Sequence, residues 1–239
     1  MDHIDALIVS HGQPSSPDPA EAALAAYVAQ VQAHVPDLRL GSATLAKPGS
    51  LDAQLERMAP GAVIYPLFMS DGWFVRTCLA GRVGDAPFAV MTPFGMDPDL
   101  PDLAAAGLRA EGWADGDPLL LVAHGSGSGR PAPERATDDF AKALATALGG
   151  ANITVGFLEQ SPTIPEVAKG LPDNVLCLPF FAMEGDHVRE DVHEELGECA
   201  FKGRVLPVIS QLPGVDAMVA RAIKAKLAEG SAAQQAASA

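Results

Sequence analysis

Short runs that are apolar at almost every position alternate along this chain with longer segments whose apolar residues recur at helical spacing. The short runs fall at 6–10, 38–45, 62–66, 89–92, 119–123, 153–158, 175–179 and 205–209. LLLVA, which has no polar member, suits a strand covered on both faces. Between the runs, stretches such as 20–34 and 132–148 carry alanine-rich helical periodicity. Strands and helices in regular alternation predict α/β architecture: a parallel sheet joined by crossover helices.

The pattern occurs twice. LIVSHG at 7–12 returns as LLVAHG at 120–125, and YPLFMSDGWFVRTCL from Tyr65 returns as LPFFAMEGDHVREDV from Leu178. The offset is constant, since 124 − 11 = 113 and 179 − 66 = 113. A unit of that length is one small domain. The prediction is two tandem three-layer α/β/α domains with parallel sheets, at 1–115 and 116–230, separated near GWADGDP (112–118). Residues 231–239, within EGSAAQQAASA, have little to bury and are expected to form a disordered tail.

Charge and composition narrow the chemistry. Sixteen basic against 30 acidic side chains give a net charge of −14, which opposes general binding to nucleic acid or anionic membrane. No apolar run is long enough to span a bilayer, and MDHIDALIVSHG reads as a first strand rather than a secretory signal. A cytoplasmic location is therefore expected. Cys78, Cys177 and Cys199 are odd in number and form no CxxC pair, so they are expected to be small packing residues outside any disulfide framework.

Ligands of such sheets bind beyond the carboxyl ends of the strands. His124 and Glu159 follow two predicted strands, and His187 lies in the loop or first helical turn after a third. Two imidazoles and a carboxylate with open positions suit a borderline divalent ion, and the imidazoles can also accept protons near neutral pH. Asp191 and Glu195, at i+4 and i+8 from His187, would share one face of a regular helix as a carboxylate ladder for cations or protons; the alternative is a solvated acidic surface. The first copy has Phe74, Cys78 and Arg82 at those three places, and Leu45 at about the Glu159 position, keeping only His11. HGSGSGRP (124–131) has neither the GxSxG order of a hydrolase elbow nor the GK[ST] ending of a P-loop. It reads as a donor-rich loop able to approach a flat ligand or hold a carboxylate through Gly125, Ser126 and Arg130, with Lys169 and Arg189 as further candidate cations.

LLLVAHGSGSGRP, GFLEQSPTIPEVAKGLP and VLCLPFFAMEGDHVREDV together resemble the class II chelatases, the family of sirohydrochlorin cobaltochelatases and ferrochelatases, over residues 4–225 or so. The resemblance implies two similar α/β domains facing each other across a tetrapyrrole cleft, with a C-terminal helix that can pack back on the first domain. His124, Glu159 and His187 match the family's His, Glu and His, and Asp191 and Glu195 resemble the acidic row of some members. The first copy then reads as a wall for the macrocycle, offering His11, Trp73 and Phe74 for substrate binding, with core packing as the other reading of the aromatics. The histidine-rich stretch and cysteine cluster of some long members are absent, so neither a storage tail nor an iron–sulfur cluster is expected. No tightly bound cofactor is implied; the metal enters as a substrate. The implied activity is insertion of a divalent ion into sirohydrochlorin: cobalt(II) first, iron(II) for sirohaem as the alternative, and a non-catalytic tetrapyrrole or metal carrier as the reading from another class.

Overall fold

The computed structural model describes residues 3–185 and 187–237, without the side chains of residues 187, 189 and 233–237. The first half of the chain runs β1 (Ile4–Ser10), α1 (Pro17–Ala33), β2 (Leu40–Thr44), α2 (Ser50–Leu55), β3 (Met58–Pro66), a π-helical turn (Phe74–Leu79), α3 (Ala80–Val83), β4 (Ala89–Val90) and α4 (Leu100–Ala110). The second half runs β5 (Leu119–Ala123), α5 (Pro131–Ala147), β6 (Ile153–Phe157), α6 (Ile164–Ala168), β7 (Leu176–Pro179), a second π-helical turn (His187–Val192), α7 (His193–Glu198), β8 (Arg204–Val205) and α8 (Val215–Ala237).

The eight strands form two four-stranded parallel sheets with matching orders, β2-β1-β3-β4 and β6-β5-β7-β8. The register matches as well. Ala6 pairs with Leu40 and Val63, and Leu119 pairs with Ile153 and Leu176, each partner displaced by the same 113 positions. Successive side chains of a strand point to opposite faces, and Ala6, Leu7, Ile8 and Val9 are all buried, as is every residue of β5. Each central strand is therefore covered on both sides, as its apolar sequence required. On one face of the first sheet, Leu7, Val9 and Ile64 share a core with Leu51, Val75 and Leu79. In the second, Leu120, Val122 and Cys177 share one with Ile164, Val188 and Leu196. Burial pushes the Cys177 thiol up, out of the reactive range, while Cys78 and Cys199 are half-buried.

The chain divides into two compact units, Met1–Phe94 with Asp216–Ala239, and Gly95–Val215. The division thus falls some twenty residues before GWADGDP. That segment is a tight turn inside the second unit, with Ala114 N–H donating to Asp117 (2.9 Å) and the buried Trp113 indole to the Asp117 carbonyl (3.1 Å). α4 packs on α5, and Leu212 lies against Gly107, at ordinary contact distance, 3.4 Å, from where a Cβ on Gly107 would stand. α8, at the end of the second repeat, belongs to the first unit, and it continues through the segment expected as a disordered tail, to Ala237. Alanine and glutamine are good helix formers, so extending an existing helix avoids a new nucleation cost. No helix among the described residues is long and apolar enough to cross a membrane.

His34, at the end of α1, meets Asp216 on α8 at 2.9 Å. Partial burial works to raise the Asp216 carboxyl, but hydrogen bonds from His34 and the Ala217 N–H, with the His34 charge, outweigh it and hold it below the usual value. A depressed carboxylate contributes stability above its unfolded-state pKa and loses it as pH falls through the folded one. Both partners are partly exposed, so Asp216→Asn should cost at most about 1 kcal/mol, or about 2–4 °C in melting temperature. Thermal melts from pH 7 to pH 3 should show that difference closing at the acid end.

Candidate active site

Beyond the strands, the β5–β6 ladder continues for two more rungs. Leu158 N–H donates to the Ala123 carbonyl at 3.1 Å, and Glu159 N–H to the His124 carbonyl at 3.0 Å. His124 and Glu159 thus stand side by side past the carboxyl edge of the sheet, both exposed. The loop carrying Glu159 is anchored at its far side too. Phe157 N–H donates to the Pro162 carbonyl at 2.9 Å, and Thr163 caps α6 in a box with Glu166. Hydrogen bonds from the Thr163 N–H and the Ser161 hydroxyl hold the Glu166 carboxyl below its usual range.

The loop after His124 folds back on itself. Gly125 has φ +73°, in the left-handed region that favours glycine, and its buried backbone is packed by Phe157 and Gln160. Ser126 N–H donates to Gln160 Oε1 (2.8 Å), and the Ser126 hydroxyl accepts from Arg130 N–H (3.1 Å). Arg130 is exposed at the head of α5, its guanidinium on the Ser128 hydroxyl at 3.2 Å, and Lys169 is exposed just after α6.

On the third strand end, His187 opens the second π-helical turn; its side chain and that of Arg189 lie outside the described residues. The wider π turn replaces the regular helix expected from 187 onward, and α7 starts only at His193. Asp191 and Glu195 nevertheless converge. Together with Leu158, Glu159, Thr163, Pro165, Glu194 and Glu198 they line a cavity of about 430 Å³. Burial, then the charges of Glu198, Asp191, Glu159 and Glu194, push the Glu195 carboxyl above its usual value. Its Oε2 is buried and has no hydrogen-bond partner among the described residues. Glu194 and Glu198 were missed from the sequence, although HEELGE places them one residue before Glu195 and three after it.

In the first unit the same rungs recur, with Leu45 N–H donating to the Ser10 carbonyl (3.0 Å) and Ala46 N–H to the His11 carbonyl (2.9 Å). Ala46, rather than Leu45, therefore stands where the second unit has Glu159. The place of Glu195 is taken by Arg82, which pairs with Asp52 at 2.8 Å, and Asp52 stands where the second unit has Pro165. An ion pair replaces the acidic cavity. His11 lies against Phe74, with ring centroids 4.2 Å apart, and Trp73 meets Phe74 edge-on at 5.1 Å. Trp73 and Phe74 are 43% and 39% exposed, so neither is a core residue. Among the described residues no three His, Cys, Asp or Glu are grouped so that they could hold a metal ion.

Comparison with known proteins bears on this arrangement. A family model described as CbiX matches residues 118–230. One solved structure, 41% identical with a TM-score of 0.80 and aligned over 92% of this chain and 98% of its own, is described as CbiX, the terminal enzyme for biosynthesis of siroheme in denitrifying bacteria. The chain belongs to the CbiX family of class II chelatases. Two more distant structures share the fold at 16% identity. SirB from Bacillus subtilis with Fe3+ has a TM-score of 0.73 over 95% of this chain and 96% of its own. The sirohydrochlorin chelatase SirB from Bacillus subtilis subspecies spizizenii, in complex with cobalt, has a TM-score of 0.64 over 94% of each. No curated protein sequence matches. Within this CbiX-family chelatase, the family model falls on the repeat that carries His124, Glu159 and the acidic cavity.

Proposed function

We propose that this chelatase inserts a divalent metal into sirohydrochlorin, with cobalt(II) as the leading metal. The observation that carries the reading is the asymmetry of the two repeats on matching backbones: one strand-end site holds histidine, glutamate and an acidic cavity, and the other holds histidine, alanine and an ion pair. Insertion requires the macrocycle to lose two pyrrole protons and to expose its nitrogen lone pairs. His124 and His187 would bind the incoming ion or accept those protons, with Glu159 completing the polar set. An imidazole and a carboxylate presented without a closed cage suit an ion that must leave again, because closed sets of four ligands retain metal. The pairing of His187 with His124 is supported by Phe74, its counterpart in the first unit, which lies on the ring of His11. Exposed Trp73 and Phe74 offer an aromatic surface of the kind on which a flat macrocycle stacks. Gly125, Ser126 and Arg130 would meet its carboxylates, and Asp191 and Glu195 would pass the cation toward Glu159.

Iron(II) is the second reading, favoured by the description of the 41% identical CbiX as the terminal enzyme for biosynthesis of siroheme, the iron form of the macrocycle. Imidazole and carboxylate donors do not separate the two ions. An anaerobic absorbance assay with sirohydrochlorin and matched cobalt(II), iron(II) or nickel(II) decides. Conversion over many turnovers is expected, and the fastest metal identifies the reaction. A spectral shift on binding, with no metal entering from any of the three, would make the protein a carrier.

A further inference from the structure

Glu159 lines the acidic cavity and its backbone is hydrogen-bonded to His124, and two residues with no chemistry of their own bear on where its carboxylate lies. A Cβ built on Gly127 would stand 2.4 Å from Glu159 Oε2, well inside contact distance. Gly127 has no positive φ, so nothing in its own backbone demands glycine. A Cβ there would instead push aside the Glu159 carboxylate, the movable end of an exposed side chain. Gln160, the next residue along from Glu159, fastens the loop above through the bond from Ser126 N–H at 2.8 Å, and its side chain packs where a Cβ on Gly125 would stand, 2.8 Å from Gln160 Cγ.

The first unit is an internal control. It repeats the His-Gly turn, with Gly12 at φ +75°, and the bond from Ala46 N–H to the His11 carbonyl. Lacking the glutamate, it also lacks the gap and the clamp: Pro14 stands at the Gly127 position and Lys47 at the Gln160 position, where Lys47 turns outward to Asp18 at 3.0 Å. Carboxylate, missing side chain and amide clamp occur together in one repeat and are absent together from the other.

We infer that Gly127 and Gln160 are positioning residues for metal capture, setting the Glu159 carboxylate against His124 by leaving it room on one side and holding the loop over it on the other. The inference rests on the metal-handling role proposed for Glu159. Neither residue touches the metal; each acts through the geometry of one that does. Supporting residues of this kind typically change metal affinity about 10- to 100-fold.

The test is a double-mutant cycle in the full chain, with steady-state constants for cobalt(II) and sirohydrochlorin, cobalt(II) affinity by competition with a chromophoric chelator, and thermal midpoints. Gly127→Ala should raise the cobalt KM and weaken cobalt affinity about tenfold, leaving the sirohydrochlorin KM unchanged. In a Glu159→Ala background, with no carboxylate left to displace, the same substitution should cost nothing further. Gln160→Ala should give the same cobalt-only signature, and Gln160→Glu, which keeps an oxygen acceptor for Ser126 N–H, should recover most of it. Equal losses from Gly127→Ala with and without the Glu159 side chain, a wild-type cobalt KM in Gly127→Ala or Gln160→Ala, or no rescue by Gln160→Glu would overturn the inference and leave Glu159 in its role. Full turnover and wild-type cobalt affinity in Glu159→Ala would overturn that role and the inference with it.

Discussion

Replacing His124 or His187 by alanine is expected to lower turnover about 10²- to 10⁴-fold, the range for a lost general base, with sirohydrochlorin affinity changed by no more than about twofold. The reason is the division of labour proposed above. Binding a large flat substrate is spread over an aromatic surface and loop donors, whereas the pyrrole protons and the incoming ion need a nitrogen lone pair at one place. The loss should therefore fall on kcat and on the metal KM. The same change at His11 should be far milder, because its unit pairs the histidine with Phe74 and has Ala46 where a carboxylate would be needed. Anaerobic absorbance kinetics, with macrocycle binding followed by fluorescence quenching, measure both quantities. Full turnover in His187→Ala would remove that residue from the mechanism, and equal losses at His11 and His124 would refute the assignment of chemistry to the second repeat.

Much of the architecture was open to a reader of the chain because hydrophobic patterning reports on nearest neighbours in a sheet. Seven of the eight apolar runs became strands or contained one, whereas 205–209 shares only Val205 with β8 and then leads into a 3-10 turn at Ile209–Gln211, and the 113-residue offset reappeared in the register itself, Ala6 with Leu40 and Leu119 with Ile153. The unit boundaries were not open in the same way. Whether α4 stays with the strands before it or packs on α5 depends on surfaces far apart in sequence, such as Gly107 against Leu212, and periodicity carries no record of that choice. The proline and glycine of 112–118 signalled a turn correctly, but a turn need not be a linker.

The site was legible to the extent that its residues follow strands. His124 and Glu159 were placed beside each other by counting from strand ends, and the ladder bond between them follows from that placement. The first-unit counterpart of Glu159 was displaced by one residue, to Leu45, because the end of β2 is blurred by a continuing apolar run, whereas the hydrogen bond selects Ala46. The acidic row was drawn on regular helical geometry. A π-helical turn intervenes, a form common at functional sites, so the convergence of Asp191 and Glu195 comes from the cavity wall rather than from a straight stripe. Gly127 and Gln160 carry no chemistry of their own and leave no signal in one copy; only comparison of the two repeats brings them out.

Glu195→Gln is expected to stabilise the protein at neutral pH while slowing metal capture about tenfold at low ionic strength, and Glu195→Lys to slow it on the order of 100-fold. Burial and the charges of Glu198, Asp191, Glu159 and Glu194 raise the Glu195 carboxyl. A carboxyl raised on folding adds stability that is fully present below its unfolded-state pKa and lost as pH rises through the folded value. Above that range the carboxylate is thus a net cost to folding, and the amide removes its charge. Melting temperatures of wild type and Glu195→Gln should coincide at pH 4 and separate as pH rises toward 7, each kcal/mol of gain appearing as about 2–4 °C. Lysine imitates Arg82, which in the first unit pairs with Asp52 where the second unit has the cavity, so it should pair with the surrounding carboxylates and occupy the space. Saturating cobalt(II) should raise the wild-type melting temperature more than that of either variant, since a cation in the cavity relieves a repulsion the variants no longer have. Variants that melt and capture metal like wild type would mean that the acidic cavity is a solvated surface, and the path of the ion to Glu159 would have to be sought elsewhere.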